Sequence, residues 1–358
     1  MFNTIKRLRI FPQFLTNSTI TSINKPGSNK DRYDLESTRG IFNLVKVRQI
    51  LDKLLYNSNY DVLDSNMSPS NIGARRGRNI RDHLFVVNAV LQEVEEAKAS
   101  AEIEIYDVKA CFDKLWSAET SNDIFDNGMR DDHFVLSAIA NKECNVTVKL
   151  PWGTKTKKVT LNDIEIQGSV NSPLRCSITI DSLGKSLLSS TENSNILYKY
   201  RGFVMIPPLA LVDDLLTITS CGMNALKMNA LTLSKMETKR LELGATKCFQ
   251  MHIGKKTQYC PSLLIENSSS MEKTEKQRYL GDIISSDSKI DNNIKMRVEK
   301  GQWIVNDIVS IISEMNLGQH YFEVAFMLHS ALFVNGILYS TEALMTIKQD
   351  QRSTALPL

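Results

Sequence analysis

The segment Ala101-Glu-Ile-Glu-Ile-Tyr-Asp107 alternates apolar and polar residues strictly and ends on a carboxylate. Alternation of period two marks a β-strand, and here it puts Ile103, Ile105 and Asp107 on one face. Residues 209–219 form a second strand-like stretch, predicted as a hairpin, in which Leu209, Leu211 and Asp213 share a face and Asp213-Asp214 falls near the turn. Apolar residues flank that pair on both sides. Carboxylates set in apolar strands repel one another and lose hydration. A divalent cation relieves both penalties: Mg2+ takes one or two carboxylates and completes its shell with water and substrate phosphates. Two such ions clamp the attacking and leaving oxygens of an in-line phosphoryl displacement. The two sites are far apart in the chain, so only folding brings them together. The competing reading is an Asp-Asp pair that simply makes a turn.

Around these strands the period changes. Apolar residues Ile41, Leu44, Val45, Val47, Ile50, Leu51, Leu54 and Leu55 recur at helical spacing and predict an amphipathic helix over 41–56. Leu84–Val94 predicts a second helix. Residues 16–38, rich in Asn, Ser and Thr with Pro26-Gly27, read as a loop. Residues 145–161 read as a hairpin around Pro151-Trp-Gly153. Long helices are expected at about 223–243, 289–315 and 320–345. Helices first, then strands interleaved with helices, then a helical tail give an α+β fold with a mostly antiparallel central sheet.

The 358 residues, 42% hydrophobic and 23% charged, suit a folded protein with a core large enough to need no disulfides. The net charge of +3 excludes little, but its distribution is uneven. Arg75, Arg76, Arg78 and Arg81 cluster, as do Lys295, Arg297 and Lys300; each group reads as a phosphate contact or as solvated surface. The six cysteines include no CxxC pair, which argues against zinc and for a reducing, intracellular setting, nucleus or cytoplasm. No apolar run approaches the ~20 residues that span a bilayer, so no membrane partner is expected, nor is a redox cofactor.

Several short motifs then resemble those of reverse transcriptases, in the same order. Asp107-Val-Lys-Ala-Cys-Phe-Asp113 is similar to the first catalytic motif. Gln167-Gly-Ser-Val-Asn-Ser-Pro-Leu174 resembles the next, and Ala210-Leu-Val-Asp-Asp214 the double-aspartate hairpin. Leu243-Gly-Ala-Thr-Lys247 looks like the following lysine motif, and Arg278-Tyr-Leu-Gly281 like the hairpin that grips a primer end. Upstream, Gly73-Ala-Arg-Arg-Gly-Arg-Asn-Ile-Arg-Asp82 and Thr38-Arg-Gly-Ile41 resemble the fingers motifs of the non-LTR, LINE-like branch. Tyr279-Leu-Gly281 and the late Gly336-Ile-Leu-Tyr-Ser-Thr-Glu342 favour that branch over retroviral enzymes. Val212 stands where the family often has Ala or Met, and Gly73-Ala74 replaces Gly-Phe. The endonuclease that typically precedes this core has no counterpart, and the chain ends soon after the thumb begins, so a truncated element copy is expected.

The resemblance implies a right-hand polymerase. Its parts would be an N-terminal segment (1–24), fingers (25–100), a palm (101–275, with an insertion about 141–166), a primer-grip hairpin (276–288) and a partial helical thumb (289–358). It implies RNA template, DNA primer and dNTPs as partners, and two Mg2+ ions, with Mn2+ as a substitute. Asp107 and Asp213 would be the principal metal ligands, Asp214 would support them, and Lys247 would neutralise or protonate pyrophosphate. Phe112 would be the steric gate under the nucleotide sugar, with a core phenylalanine as the bland alternative. Gln167 and Gly168 would lie at the new base pair. Arg75 and Arg78 would hold the triphosphate, although which of the four arginines does so stays open. Tyr279 and Gly281 would hold the primer terminus, and Lys295 and Arg297 duplex phosphates. The rival readings are a catalytically silent relic that still binds RNA, a viral RNA-dependent RNA polymerase, and, more distantly, a Ca2+ enzyme.

Overall fold

The computed structural model describes residues 2–24, 38–109, 111–150, 153–163, 165–192, 194–255, 259–265, 269–287, 291–315 and 320–338. The expected Pro26-Gly27 loop, Pro151-Trp152 of the expected turn and everything past residue 338 lie outside these residues.

The chain opens with helix α1 (Phe2–Leu8), strands β1 (Asn17–Asn24) and β2 (Thr38–Leu44), then helices α2 (Lys46–Asn66) and α3 (Ile80–Ala97). A capping box starts α3: the Asn79 side chain accepts from the backbone of its first turn, and Asp82 accepts from Asn79 N. Strand β3 (Ser100–Asp107) leads into α4 (Cys111–Lys114), α5 (Ser117–Asp126) and α6 (Asp131–Lys142). The hairpin β4 (Glu143–Val148) and β5 (Val159–Asn162) precedes the buried helix α7 (Ser172–Thr191). Next come the short strands β6 (Lys199–Tyr200) and β7 (Val204–Met205), the hairpin β8 (Leu209–Leu211) and β9 (Asp214–Thr219), and helix α8 (Gly222–Thr238). Strands β10 (Phe249–Gly254), β11 (Glu272–Lys273), β12 (Lys276–Tyr279) and β13 (Asp282–Ser285) are followed by α9 (Asp291–Glu314) and α10 (Tyr321–Leu328). A π-helical turn, His329–Val334, joins α10 to α11 (Asn335–Leu338).

The central sheet has five strands in the order β11-β10-β3-β9-β8. Its pairs are antiparallel except for the short parallel edge β10–β11. Strand β3 is the middle strand, and both of its faces are buried. Ile103 and Ile105 pack with Leu84, Val87, Leu216 and Tyr279 on the side of α3 and β12. Tyr106 packs with Cys176, Ile180, Leu215 and Met228 on the side of α7 and α8. Glu102 and Glu104, the polar half of the alternation, are therefore interior too. Glu104 accepts hydrogen bonds from the Thr217 hydroxyl at 2.5 Å and the Thr219 hydroxyl at 2.8 Å. This is an α+β fold with a mostly antiparallel central sheet and multiple helices.

Two expectations need correction. The predicted helix at 41–56 is two elements: Thr38–Leu44 is strand β2, and the helix runs from Lys46 to Asn66. Residues 17–24 of the expected loop form β1, which pairs antiparallel with β2 and parallel with β4. Together with β5 they make a second sheet, β2-β1-β4-β5. Pairing with β1 turns Phe42 and Leu44 into a core that also holds Cys144, Val146 and Ile166, and that burial outweighs the apparent helical spacing.

Candidate active site

The site is built on the hairpin β8–β9 and its neighbour β3. Register places Asp107 directly opposite Asp214, so their side chains stand on the same face of the sheet. Asp213 lies in the two-residue turn, and its carbonyl accepts from Val108 N at 3.1 Å, which ties the turn to the end of β3. The other turn residue, Val212, adopts a left-handed conformation, φ +55°, costly for a β-branched side chain. Asp213 is thus a turn residue, where alternation predicted a strand position beside Leu209 and Leu211. Gly73 backs this turn: a Cβ there would meet Val212 N and Ser177 Oγ, each at 2.6 Å. Residues Ser70–Ile72 run beside β8, with Ile72 N donating to Ala210 O and Ala210 N to Ser70 O, both at 3.0 Å.

The electrostatics follow from this crowding. Burial raises the Asp213 carboxyl, Asp107 adds to the rise, and the charges of Lys247 and Arg39 oppose it. Burial pushes Asp214 up to about 7, with repulsion from Asp213 and Asp107 adding to the effect and Lys247 opposing it. The Lys247 ammonium bonds both Asp107 oxygens, at 3.1 and 3.3 Å. The turn at Gly244 permits this approach: its N–H donates to Asp107 O at 2.8 Å, and a Cβ at Gly244 would sit 2.8 Å from Asp107 Oδ2. A self-repelling carboxylate set that already draws an ammonium has the donor chemistry of a Mg2+ site. Among the described residues no group of three or more His, Cys, Asp or Glu is arranged to hold a metal ion unaided. The three aspartates therefore do not make a ready-made cage. They fit an ion that takes one or two carboxylates and fills its shell from elsewhere.

The remaining candidates divide. Gln167 and Gly168 form a turn against β2: Gln167 O accepts from Phe42 N at 2.9 Å, and Gly168, at φ +122°, has the Phe42 carbonyl where a Cβ would stand. Phe112 is half-buried and packs against the core beneath the sheet. Gly281, at φ +95°, completes the tight turn between β12 and β13. Lys295 and Arg78 are exposed.

Three assignments are corrected. The Arg75 side chain is only 4% exposed, and its guanidinium is consumed by Asp64 Oδ1 and the carbonyls of Asp64, Ser68 and Asn71. It braces the loop and is not placed to meet a triphosphate. Arg297 is buried against Asp282 at 2.6 Å and the Ile337 carbonyl at 2.8 Å, so it locks the β12–β13 hairpin to α9 and α11 and does not face a duplex. Tyr279 is 3% exposed, and its ring belongs to the core around α3. It cannot lie against a primer.

Three other residues now stand out. Arg39 is the arginine whose charge reaches Asp213; it sits inside the quoted Thr38–Ile41 motif, but no local signal separated it from other cations. Exposed Arg278 and Lys300 line a cleft of about 350 Å3 with Gly281 and Trp303. That cleft joins the hairpin turn to α9, a contact only tertiary structure creates. The expectation that no segment nears membrane-spanning length also fails: Tyr321–Leu338 is long and apolar enough by length and composition, and none of it is buried.

Comparison with known proteins accords with this geometry. The family model described as reverse transcriptase (RNA-dependent DNA polymerase) matches residues 23–284, well over half of the chain. The chain belongs to the reverse transcriptase family. Among solved structures it is similar to apo telomerase from Candida tropicalis truncated from its C-terminal domain, at TM-score 0.52 and 16% identity, over 79% of this chain and 57% of that one. Apo telomerase from Candida tropicalis matches at TM-score 0.51 and 14% identity, over 99% and 63%. Telomerase from Candida albicans in complex with a TWJ fragment of telomeric RNA matches at 0.50 and 12%, over 92% and 57%. At such identity the likeness is one of fold, and this chain spans 57–63% of the length of those telomerase chains. No curated protein matches it.

Proposed function

We propose that this chain is the RNA-directed DNA polymerase core of a non-LTR, LINE-like element, extending a DNA primer along an RNA template with dNTPs. The observation that carries the reading is the meeting of Asp107 with Asp213-Asp214 at the end of the central sheet, beneath Lys247 and beside Arg39. Tyr279-Leu-Gly281 in a tight hairpin supports the non-LTR assignment. The proposed parts are fingers (25–100), palm (101–275), hairpin (276–288) and thumb (289 onward). The six free cysteines suit the intracellular setting proposed for it.

In this mechanism Asp107 and Asp213, with Asp214 in support, would hold two Mg2+ or Mn2+ ions, which would supply charge neutralisation for phosphoryl transfer. The chain's own groups position the reactants. Gly168 lets backbone approach the new base pair, Phe112 lies under the incoming sugar, and Arg39 with Arg78 meets the triphosphate. Lys247, freed from Asp107, neutralises or protonates pyrophosphate. Arg278, Lys295 and Lys300 contact duplex phosphates. A silent copy that keeps the palm and binds RNA is the second reading, favoured by the Lys247 ammonium that already occupies both Asp107 oxygens.

Extension of an annealed RNA template–DNA primer with Mg2+ or Mn2+ separates the two. Asp213→Asn removes a ligand at constant volume, so extension should vanish while the circular dichroism spectrum stays native. Extension that survives the substitution rejects the metal role, and a folded parent that never extends a primer favours the silent copy.

A further inference from the structure

Asp107 and Asp214 share their sheet face with Tyr279, the last residue of β12. Tyr279 and His83 are buried together, 3% and 2% exposed. His83 Nδ1 lies 3.2 Å from the Tyr279 hydroxyl, and His83 Nε2 lies 2.8 Å from the Ser70 carbonyl. A carbonyl only accepts, so Nε2 carries the proton. A neutral imidazole then presents Nδ1 as an acceptor, and the Tyr279 hydroxyl donates to it. Burial keeps the ring neutral by lowering its pKa to about 4. Ser70 O accepts a second bond, from Ala210 N at 3.0 Å, and Ala210 lies on β8 just before the aspartate turn. A continuous chain thus runs from Tyr279 through His83 and Ser70 to β8. At its far end the β12–β13 hairpin is clamped to α9, where Asn293 bonds Ile283 N at 2.5 Å and Ile283 O at 2.9 Å and Arg297 bonds Asp282.

We propose that His83 is a positioning residue: through Tyr279 on one side and Ser70 on the other, it fixes the β12–β13 hairpin at a set height over the aspartate hairpin. Apolar packing alone lets an aromatic ring slide along Leu84 and Val87, because dispersion has no direction. Two directional bonds on a buried imidazole remove that freedom. The strand end presented by the hairpin then meets Asp107 and Asp213 in one register. Calling that strand a primer rests on the polymerase reading; the coupling of the two hairpins does not.

The test uses the full chain and three variants. His83→Gln keeps one acceptor for Tyr279 and one donor for Ser70, His83→Leu keeps neither, and Tyr279→Phe removes a single oxygen. Amide exchange of residues 209–216 should quicken about tenfold in His83→Leu and Tyr279→Phe and stay within about threefold of the parent in His83→Gln. In primer extension the first two should lose on the order of 10- to 100-fold in kcat, the scale of an ångström's misplacement, while KM for the template–primer moves less than threefold and His83→Gln stays near the parent. Leucine performing as well as glutamine, or Tyr279→Phe leaving exchange at 209–216 unchanged, overturns the proposal. If His83→Leu does not fold, Tyr279→Phe decides. If the parent extends no primer, the polymerase reading fails and exchange alone decides the coupling.

Discussion

Glu104 offers a measurement that isolates one group in the middle of the palm. It is fully buried in the central strand, and burial pushes its carboxyl up to about 8 against the pull of the Thr217 and Thr219 hydroxyls. The unfolded chain ionises this group near its ordinary 4.5. Between the two values the folded state holds a proton that the unfolded state releases, so stability is greatest below 4.5 and falls as pH rises through 8. One unit of difference is worth about 1.4 kcal/mol. From pH 5 to pH 8 the fall contributed by Glu104 alone comes to about 3 kcal/mol. Glu104→Gln keeps the shape and an acceptor while abolishing the titration. Urea unfolding of both proteins at pH 5, 6, 7 and 8 gives two stability curves, and their difference reports Glu104 with all other groups cancelled. The variant should gain on the parent by about 3 kcal/mol over that range. Parallel curves would mean that the carboxyl is hydrated or already paired with a cation, and would refute the reading of a neutral glutamic acid in the core.

Other expectations follow from close contacts. Gly244→Ala sets a methyl 2.8 Å from Asp107 Oδ2, which forces the carboxylate or the turn aside; extension should fall about 10²-fold with Tm lowered by only a few degrees, and full activity would show that the Gly244 contact is not needed. Glu165→Ala strands the buried Arg175, which donates forked hydrogen bonds to the Glu165 carboxylate at 2.7–3.0 Å and also donates to Ser137 and Ser121; the loss should be about 3–5 kcal/mol in urea unfolding, whereas a loss under about 1 kcal/mol would put the pair in water. Phe112→Ala should admit ribonucleotides, read as the ratio of rNTP to dNTP extension, and unchanged discrimination removes Phe112 from the sugar site.

The parts of the fold legible beforehand were those whose signal is local. Strict alternation from Ala101 to Asp107 needs no partner to be read, and the Asp213-Asp214 turn between apolar runs declares a hairpin. What escaped notice depended on remote partners. Ile41 and Leu44 belong to a strand and Val47, Leu51 and Leu55 to a helix, but their spacing runs on across Val45 and mimics one helix; only β1 distinguishes them. The burial of Glu102 and Glu104 is not visible in the alternation, because the threonines that satisfy Glu104 come from β9. Arg75 and Arg78 are equivalent in a string of letters, and Asp64 makes one of them structural. Tyr279 was assigned to the primer terminus by its motif, although it lies buried beside His83.

The bond between Glu104 and Thr217 spans 113 residues of sequence, and that separation shapes how the protein is born. At a synthesis rate of about 5–20 residues per second, β3 leaves the ribosome roughly 6–20 s before β9 can join it. Throughout that interval the future centre of the sheet is an edge with two waiting sides, the type of segment that other chains readily capture. Glu104 on such a strand is charged while it waits and neutral once it is enclosed, so the same side chain that burdens the finished palm protects the nascent one.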